Sequence, residues 1–320
     1  MRLTCTPGSE IIHLLTEIAE KKGEAKASFL NSLEPRSIET NKRDSVFATI
    51  HLQDHQLTKE LTTEILQFQS LRASRKRIRE VKNTMRVYEN LSAYNPTSQD
   101  SFRTAYRDFQ GEDAPPASYR DENIFFFNHK GFLGQTVPIN EMKTGINELF
   151  HYLRHGKDPL LIKSCLCHYA IQFYQPFEAD NEKMSRLWQS LLLIKEHPSF
   201  EFLPWETEIL SHQKEYYSRI PYSPQNTDAT KFVIYMLEII NLALAALLES
   251  CRKSIRPIDR IRYFYTLQPT SFTRKDYMFV HKNISKTTAS RDLEQGVERG
   301  FFEKKGSYNQ TMYTCRNQFV

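Results

Sequence analysis

One short break between two apolar, helix-length segments constrains this chain more than any other feature. Residues 159–174 (PLLIKSCLCHYAIQFY) and 181–195 (NEKMSRLWQSLLLIK) are separated by Gln175-Pro176-Phe177-Glu178-Ala179-Asp180. Each segment is far longer than a strand of about 5–6 residues and lacks strict alternation, so the pattern predicts two helices joined by a tight polar loop. Asn181 opens the second helix. Its amide, with the free N–H groups of the first turn, could hold an anion. Arg186, roughly a turn further on, could complete a phosphate pocket with its planar fork.

The rest of the chain reads mainly helical. Ile11, Ile12, Leu14, Leu15 and Ile18 form a stripe at helical spacing. One helix is expected over 58–85; its later part, LRASRKRIREVKNTMR, is strongly basic and reads as a solvated face. Residues 94–120 are rich in Pro, Ser and Asp, and predict turns with one short helix. The aromatic stretch around 124–137 predicts a small β-hairpin, with His129 solvent-facing. Further helices are expected over 139–154, 204–220 and 228–249. Trp188 and Trp205 read as core anchors.

Composition removes several classes. With 320 residues, 40% apolar, 25% charged, only 10 Gly and 14 Pro, the chain is neither collagen-like, low-complexity nor largely disordered. Five cysteines (Cys5, Cys165, Cys167, Cys251, Cys315) are scattered, and Cys165-Leu166-Cys167 has one residue where a zinc knuckle has two. Reduced thiols and no metal site are expected. The N-terminus has no uninterrupted apolar core of a signal peptide. The most apolar run, 232–248, contains Glu238 and Asn241 and sits at the lower limit of about 17 residues for a span. A buried bundle helix, no membrane and a cytoplasmic location are therefore expected.

Charge is unevenly placed. Residues 252–320 carry 14 Lys and Arg against six Asp and Glu, a net +8, leaving −3 on the remainder. RKSIRP at 252–257 reads as a domain boundary. Beyond it a helix is expected over 257–267, then one capped by Thr273, a turn at Asn283, and a third capped by Ser285 that Gly300 stops. A hairpin around Gly306 closes the tail. In the third helix Ala289, Leu293 and Val297 face inward, while Lys286, Thr287, Ser290 and Arg291 project from the first turns, where a recognition helix puts base-reading side chains. Lys304, Lys305 and Tyr308 suit phosphate contact. ISKTTASRDLEQGVERGFFEKKG resembles winged-helix repressors, which implies a winged helix-turn-helix over 252–320 with DNA as partner; a folding or dimerisation module is the alternative.

The central stretch, His168 to Leu187, resembles the Fic (filamentation induced by cAMP) family, whose motif is His-Pro-Phe-x-(Asp/Glu)-Gly-Asn-Gly-Arg-x-x-Arg. Pro176, Phe177, Asn181 and Arg186 match in ungapped register. SYRDENIFFFNHKGFLGQTVP is similar to the family's substrate-docking flap, and DPLLIKSCLCHYAIQFYQPF, HQKEYYSRI and DATKFVIYMLEII to flanking segments. The resemblance implies a mainly α, Fic-type helical bundle with a β-hairpin flap: an N-terminal helical region over 1–95, a Fic core over 96–251 and the winged tail. It also implies AMP transfer from ATP to a target hydroxyl as the ancestral chemistry. Pro176, Phe177, Asn181, Lys183 and Arg186 would be the nucleotide-binding positions, and the flap at 124–137 would meet a target protein.

Five motif positions depart from that pattern. The base position holds Gln175, whose amide accepts no proton near neutrality. The metal-holding carboxylate is replaced by Ala179, which has no oxygen ligand for Mg²⁺, although Glu178 and Asp180 flank it and could build a rearranged site. Asp180 and Glu182 stand where the family has glycines, and Lys183 replaces the first Arg, losing the planar fork. Arg36-Ser37-Ile38-Glu39-Thr40-Asn41 is similar to the family's inhibitory helix. Glu39 is then the inhibitory residue, either paired with Arg186 or exposed. His168 reads as a packed, hydrogen-bonded histidine.

The resulting expectation is a degenerate Fic-domain protein without AMP transfer or cofactor, acting as a regulatory or binding protein through a DNA-binding winged helix. The alternative is a Fic-type adenylyltransferase of weak or altered activity, which would use ATP and Mg²⁺. A third reading is a complex-forming partner of an active relative. Homodimerisation is compatible with all three, and no stripe demands it.

Overall fold

Few glycines and long apolar periodicities make the chain mainly α-helical. The computed structural model describes residues 2–28, 35–67, 73–111, 114–128, 131–221, 223–254, 257–267, 270–281, 284–306 and 311–316. The helices are α1 (Ser9–Ser28), α2 (Pro35–His51), α3 (Lys59–Gln67), α4 (Arg75–Glu89), α5 (Gln99–Gln110), α6 (Ile139–His155), α7 (Leu160–Tyr174), α8 (Asn181–Glu196), α9 (Trp205–Ser211), α10 (Gln213–Arg219), α11 (Thr230–Ser254), α12 (Pro257–Thr266), α13 (Arg274–Val280) and α14 (Lys286–Glu298). Strands β1 (Phe125–Asn128) and β2 (Gly131–Gln135) form one antiparallel hairpin, with a bulge between Phe126 and Phe127. Strands β3 (Phe302–Lys305) and β4 (Met312–Cys315) form another. The chain divides into two compact units, one made of 1–30 and 34–247, the other carrying 248–320.

Two expected helices are each broken in two. The helix expected over 58–85 is α3 and α4, because Ser74 starts a new helix: its hydroxyl accepts from the Arg77 N–H at 3.3 Å. The helix expected over 204–220 is α9 and α10, divided at His212.

In the first unit α7 is buried all round, from Leu161 to Tyr174, as a central bundle helix must be. The expected inward roles of the two tryptophans hold: Trp188 and Trp205 are fully buried. Helix α6 approaches α7 through Gly145. A Cβ there would lie 2.1 Å from the Tyr174 ring, so only glycine permits this spacing. The apolar helix α11 buries Phe232, Val233, Met236, Leu237, Ile240 and Leu244. Thr230–Glu249 is long and apolar enough to cross a membrane, yet 56% of that window is buried inside the protein, as in a core helix.

The second unit is three helices followed by a hairpin. Its core is Ile261, Phe264, Phe272, Tyr277, Ala289, Leu293, Phe302 and Tyr313. Thr273 and Asp276 form a reciprocal capping box at the start of α13, and the Ser285 hydroxyl caps α14 through Thr288 N–H at 3.1 Å. Gly296 lets the Phe302 ring close on α14. Beneath these contacts lies a buried ion pair. Arg260 of α12 donates to both Asp292 oxygens, at 2.6 and 3.0 Å, and Tyr277 of α13 donates to the same carboxylate at 3.2 Å. One carboxylate thus joins all three helices.

Removing one member of a buried pair strands the other charge, which costs about 3–5 kcal/mol. Arg260→Met should therefore lower the urea midpoint of the second unit sharply, and Arg260→Met with Asp292→Leu should recover most of the loss. Equal loss in the single and double variants would show that the pair does not organise this unit.

Candidate functional site

The loop between α7 and α8 is built with a fixed shape. Gln175 ends α7 in the left-handed region, φ 46° and ψ 63°, while its N–H still bonds the Ile171 carbonyl at 2.9 Å. Asn181 clamps the other end: its amide oxygen accepts from Phe177 N–H at 3.0 Å and its amide nitrogen donates to the Phe177 carbonyl at 2.7 Å. The amide expected to hold an anion is thus spent on the loop itself. Phe177 is buried and stacks on Tyr106 with a centroid distance of 3.9 Å, above Phe102 and Trp188.

Arg120 is the fastener that the sequence did not disclose. It is buried, and its guanidinium donates to the carbonyls of Gln175 (2.8 Å), Glu122 (2.7 Å) and Val137 (2.7 Å), while its N–H meets the Pro176 carbonyl. It therefore binds the base of the β1–β2 hairpin to the loop. An isolated Arg in a polar segment carries no pattern that would mark it.

The two cations of the motif are both internally occupied. Lys183, on the first turn of α8, meets Asp180 at 2.8 Å and Glu80 of α4 at 2.7 Å, with its side chain only 5% exposed. Arg186 is fully buried. It donates to the Thr49 hydroxyl (2.7 Å) and carbonyl (3.0 Å) and to the Tyr216 hydroxyl (3.4 Å), and lies 3.5 Å from Glu182. Burial works against its charge, but Tyr216, Glu182 and Tyr217 raise its pKa above the ordinary value. Three carboxylates, Glu80, Asp180 and Glu182, thus surround two cations. An incoming polyphosphate would meet a net negative charge and would have to displace ion pairs already formed.

Asp180 shows why glycine belongs there. Its φ is 59° and ψ 15°, the left-handed conformation that costs a non-glycine residue roughly 1 kcal/mol. The backbone keeps its shape, and the added carboxylate reaches Lys183 and accepts from Gln110 at 2.9 Å. Gln175 turns its amide back to Gln172, donating to that residue's carbonyl at 2.9 Å and side-chain oxygen at 3.2 Å. Glu178 and Ala179 are exposed. Among the described residues no group of three or more His, Cys, Asp or Glu could hold a metal ion. The residues present do not fit a magnesium nucleotide: the cations are taken, and Ala179 has no oxygen to offer.

The Glu39–Arg186 pair considered from the sequence does not form. Glu39 is exposed and pairs with Arg43 on its own helix, one turn away. Arg186 finds its oxygen on Thr49 of the same helix instead, at a position no motif pointed to. Glu80, the lone acid within the run RKRIREVK, was likewise missed, although its isolation among cations was a usable signal.

Behind Arg186 a neutral histidine extends the network. His168 is fully buried, with Nδ1 at 2.6 Å from the Gln189 amide oxygen and Nε2 at 2.9 Å from the Tyr216 hydroxyl. An amide oxygen only accepts, so Nδ1 carries the proton and Nε2 accepts from Tyr216. This is the packed, bonded histidine expected. Burial pushes its pKa down to about 3. Nearby, Glu206 is buried and accepts from Ser45 (2.8 Å), Tyr88 (3.1 Å) and Ser190 (3.1 Å), tying α2, α4 and α8 to α9; burial raises its pKa.

In the second unit Lys286, Thr287 and Arg291 are exposed on α14, and Ser290 is half-buried, accepting from Arg274 at 3.0 Å. Lys304 and Lys305 are exposed on β3. Tyr308, Asn283 and His129 lie outside the described residues.

The histidine predicts a pH dependence. Its folded pKa near 3 is below the unfolded value of 6.5, so between these values the unfolded chain binds more protons. The stability this neutral histidine confers is present above pH 6.5 and is lost as pH falls toward 3. Urea midpoints should therefore fall from pH 7 to pH 4.5, and His168→Gln should show a smaller fall. Identical falls in both proteins would contradict the assignment.

No family model matches the chain, and no curated protein does. Solved structures do. A Fic family protein from Desulfovibrio desulfuricans G20 aligns with a TM-score of 0.72 at 22% identity, covering 98% of each chain. A Fic domain containing signalling protein from Bacteroides thetaiotaomicron VPI-5482 aligns at 0.56 and 17%, covering 77% of this chain and 98% of that one. Fic-1 from C. elegans aligns at 0.57 and 14%, covering 76% and 73%. Arrived at through its buried helix pair, its clamped loop and its hairpin, the fold of this chain is that of the Fic family proteins.

Proposed function

We propose that this chain is a degenerate Fic-domain protein that does not transfer AMP and acts as a regulatory or binding protein, with 252–320 as a DNA-binding winged helix-turn-helix. The observation that carries the first half is the occupation of Lys183 and Arg186 by Asp180, Glu80 and Glu182. A positioned general base is worth about 10²–10⁴-fold, and Gln175 cannot serve as one. The second half is supported by a capped helix that exposes Lys286, Thr287 and Arg291, followed by a hairpin bearing Lys304 and Lys305. These cations suit phosphate contact and base-edge reading. The flap at 124–137 remains the place for a target protein, now as a docking rather than a reaction surface. A homodimer and a cytoplasmic location accord with this reading.

A second reading has one specific observation in its favour. The loop keeps the backbone of an anion cradle, with Asp180 left-handed in the glycine position and Asn181 clamping Phe177. A residual transferase using ATP and Mg²⁺ would exploit that shape, and Glu39 would then be its inhibitory residue.

Two assays separate the readings. Incubation with labelled ATP, CTP, GTP or UTP and Mg²⁺ or Mn²⁺ should leave wild type and Glu39→Gly unlabelled; label on either favours the transferase. Duplex DNA should be shifted by the purified protein at low salt, and Lys286→Ala with Arg291→Ala should weaken binding about tenfold or more. A protein that ignores DNA at low salt removes the winged-helix half.

A further inference from the structure

We infer that the exposed face of α4 is a second polyanion-binding surface, one that grips the phosphodiester backbone of nucleic acid. Arg75, Lys76, Arg79 and Lys82 are all exposed. Arg75, Arg79 and Lys82 recur at i, i+4 and i+7, so they share one side of the helix, with Lys76 on its flank. The opposite side supplies Val81, Met85, Val87 and Tyr88 to the core. Among the described residues no carboxylate meets any of the four cations.

Among the described residues Lys143, Lys157, Lys195, Lys214 and Lys231 of this unit also lie without a carboxylate, scattered along the chain, whereas on α4 four such cations fall within eight residues. On α1, α2 and α3 the cations Lys21, Lys22, Lys42, Arg43 and Lys59 each meet a carboxylate. On α4 the one acid among the cations, Glu80, is turned away to Lys183. Folding does not explain the arrangement. The start of a helix favours negative charge, yet the first turn of α4 has no acid and holds Arg75, Lys76 and Arg77. Arg75 and Arg79 are like charges one turn apart, which weakens a helix. A stripe that costs helix stability is explained by a ligand that repays it.

The chemistry selects among polyanions. From residue 75 to 82 the helix rises about 10 Å, and a DNA strand presents a phosphate about every 3.4 Å along its axis. Three to four cations thus face a comparable number of phosphates. An interfacial membrane helix needs an exposed apolar face beside its cations, and the apolar residues of α4 are buried except for the half-buried Ile78. The choice of nucleic acid over an acidic protein rests on the reading of the second unit, which offers cations of the same kind.

The test uses the full chain, a short fluorescent duplex of arbitrary sequence, and phosphatidylserine vesicles. Binding is measured by anisotropy between about 50 and 200 mM salt. Arg75, Lys76, Arg79 and Lys82 are changed together to Ala, and separately to Gln. Both residues are good helix formers at exposed positions, and circular dichroism checks the fold. The expected result is about tenfold weaker DNA binding and a salt slope shallower by about 3 in both variants. Loss in the α4 variants with Lys286→Ala/Arg291→Ala unaffected supports this surface while removing the winged-helix reading. Loss in Lys286→Ala/Arg291→Ala with the α4 variants unaffected does the reverse. Wild type that binds vesicles but not duplex overturns the inference in favour of a lipid surface, and binding to neither overturns it outright.

Discussion

Two buried cations of α8, one held by the residue that starts the helix and one by a carboxylate of its first turn, are the contacts on which the site is built. Lys183 and Asp180 are one turn apart, as are Arg186 and Glu182. A buried cation needs an anion or well-placed oxygens. In an anion cradle that requirement is met by the ligand. Here it is met from within, by two side chains at positions where glycine would leave room. Glu80 adds a third carboxylate from α4, and Thr49 adds two oxygens from α2. The same contacts that close the pocket fasten α2 and α4 to the central helix pair.

This coupling links the site to the architecture of the first unit. The Gln189–His168–Tyr216–Arg186 chain and the Glu206 cluster meet on α8 and together join α2, α4, α7, α8, α9 and α10. Buried polar networks are costly when half satisfied and rigid when complete. On the proposed reading, a reactive site turned into a structural joint lets the scaffold keep its fold while losing room for a ligand. That reading puts the function on surfaces: the flap, the exposed stripe of α4 and the tail.

Much of the fold was legible because it rests on periodicity and caps. The apolar segments flanking 175–180 became α7 and α8, and Thr273 and Ser285 start helices because short hydroxyl side chains satisfy free N–H groups. The motif register located the loop, and the charge of Asp180 and Glu182 announced a conflict with phosphate. The partners were not legible. Glu80 is 103 residues from Lys183 in sequence, Thr49 is 137 from Arg186, and Arg120 is 55 from Gln175. Such pairs follow from how helices pack, which no local spacing encodes. The helix expected over 58–85 failed for a local reason, since Ser74 caps a new start within a run that otherwise favours helix. The Glu39–Arg186 pair failed because Glu39 has a nearer cation in Arg43.

The central claim is that the chain's own carboxylates exclude a nucleotide. Calorimetric titration of magnesium ATP into wild type and into Asp180→Gly/Glu182→Gly tests it most directly. The account predicts no measurable heat with wild type and a measurable affinity in the double variant, whose loop regains space and whose cations lose two of their three carboxylates. Tight binding by wild type that is lost when Lys183 is changed to Ala would contradict it.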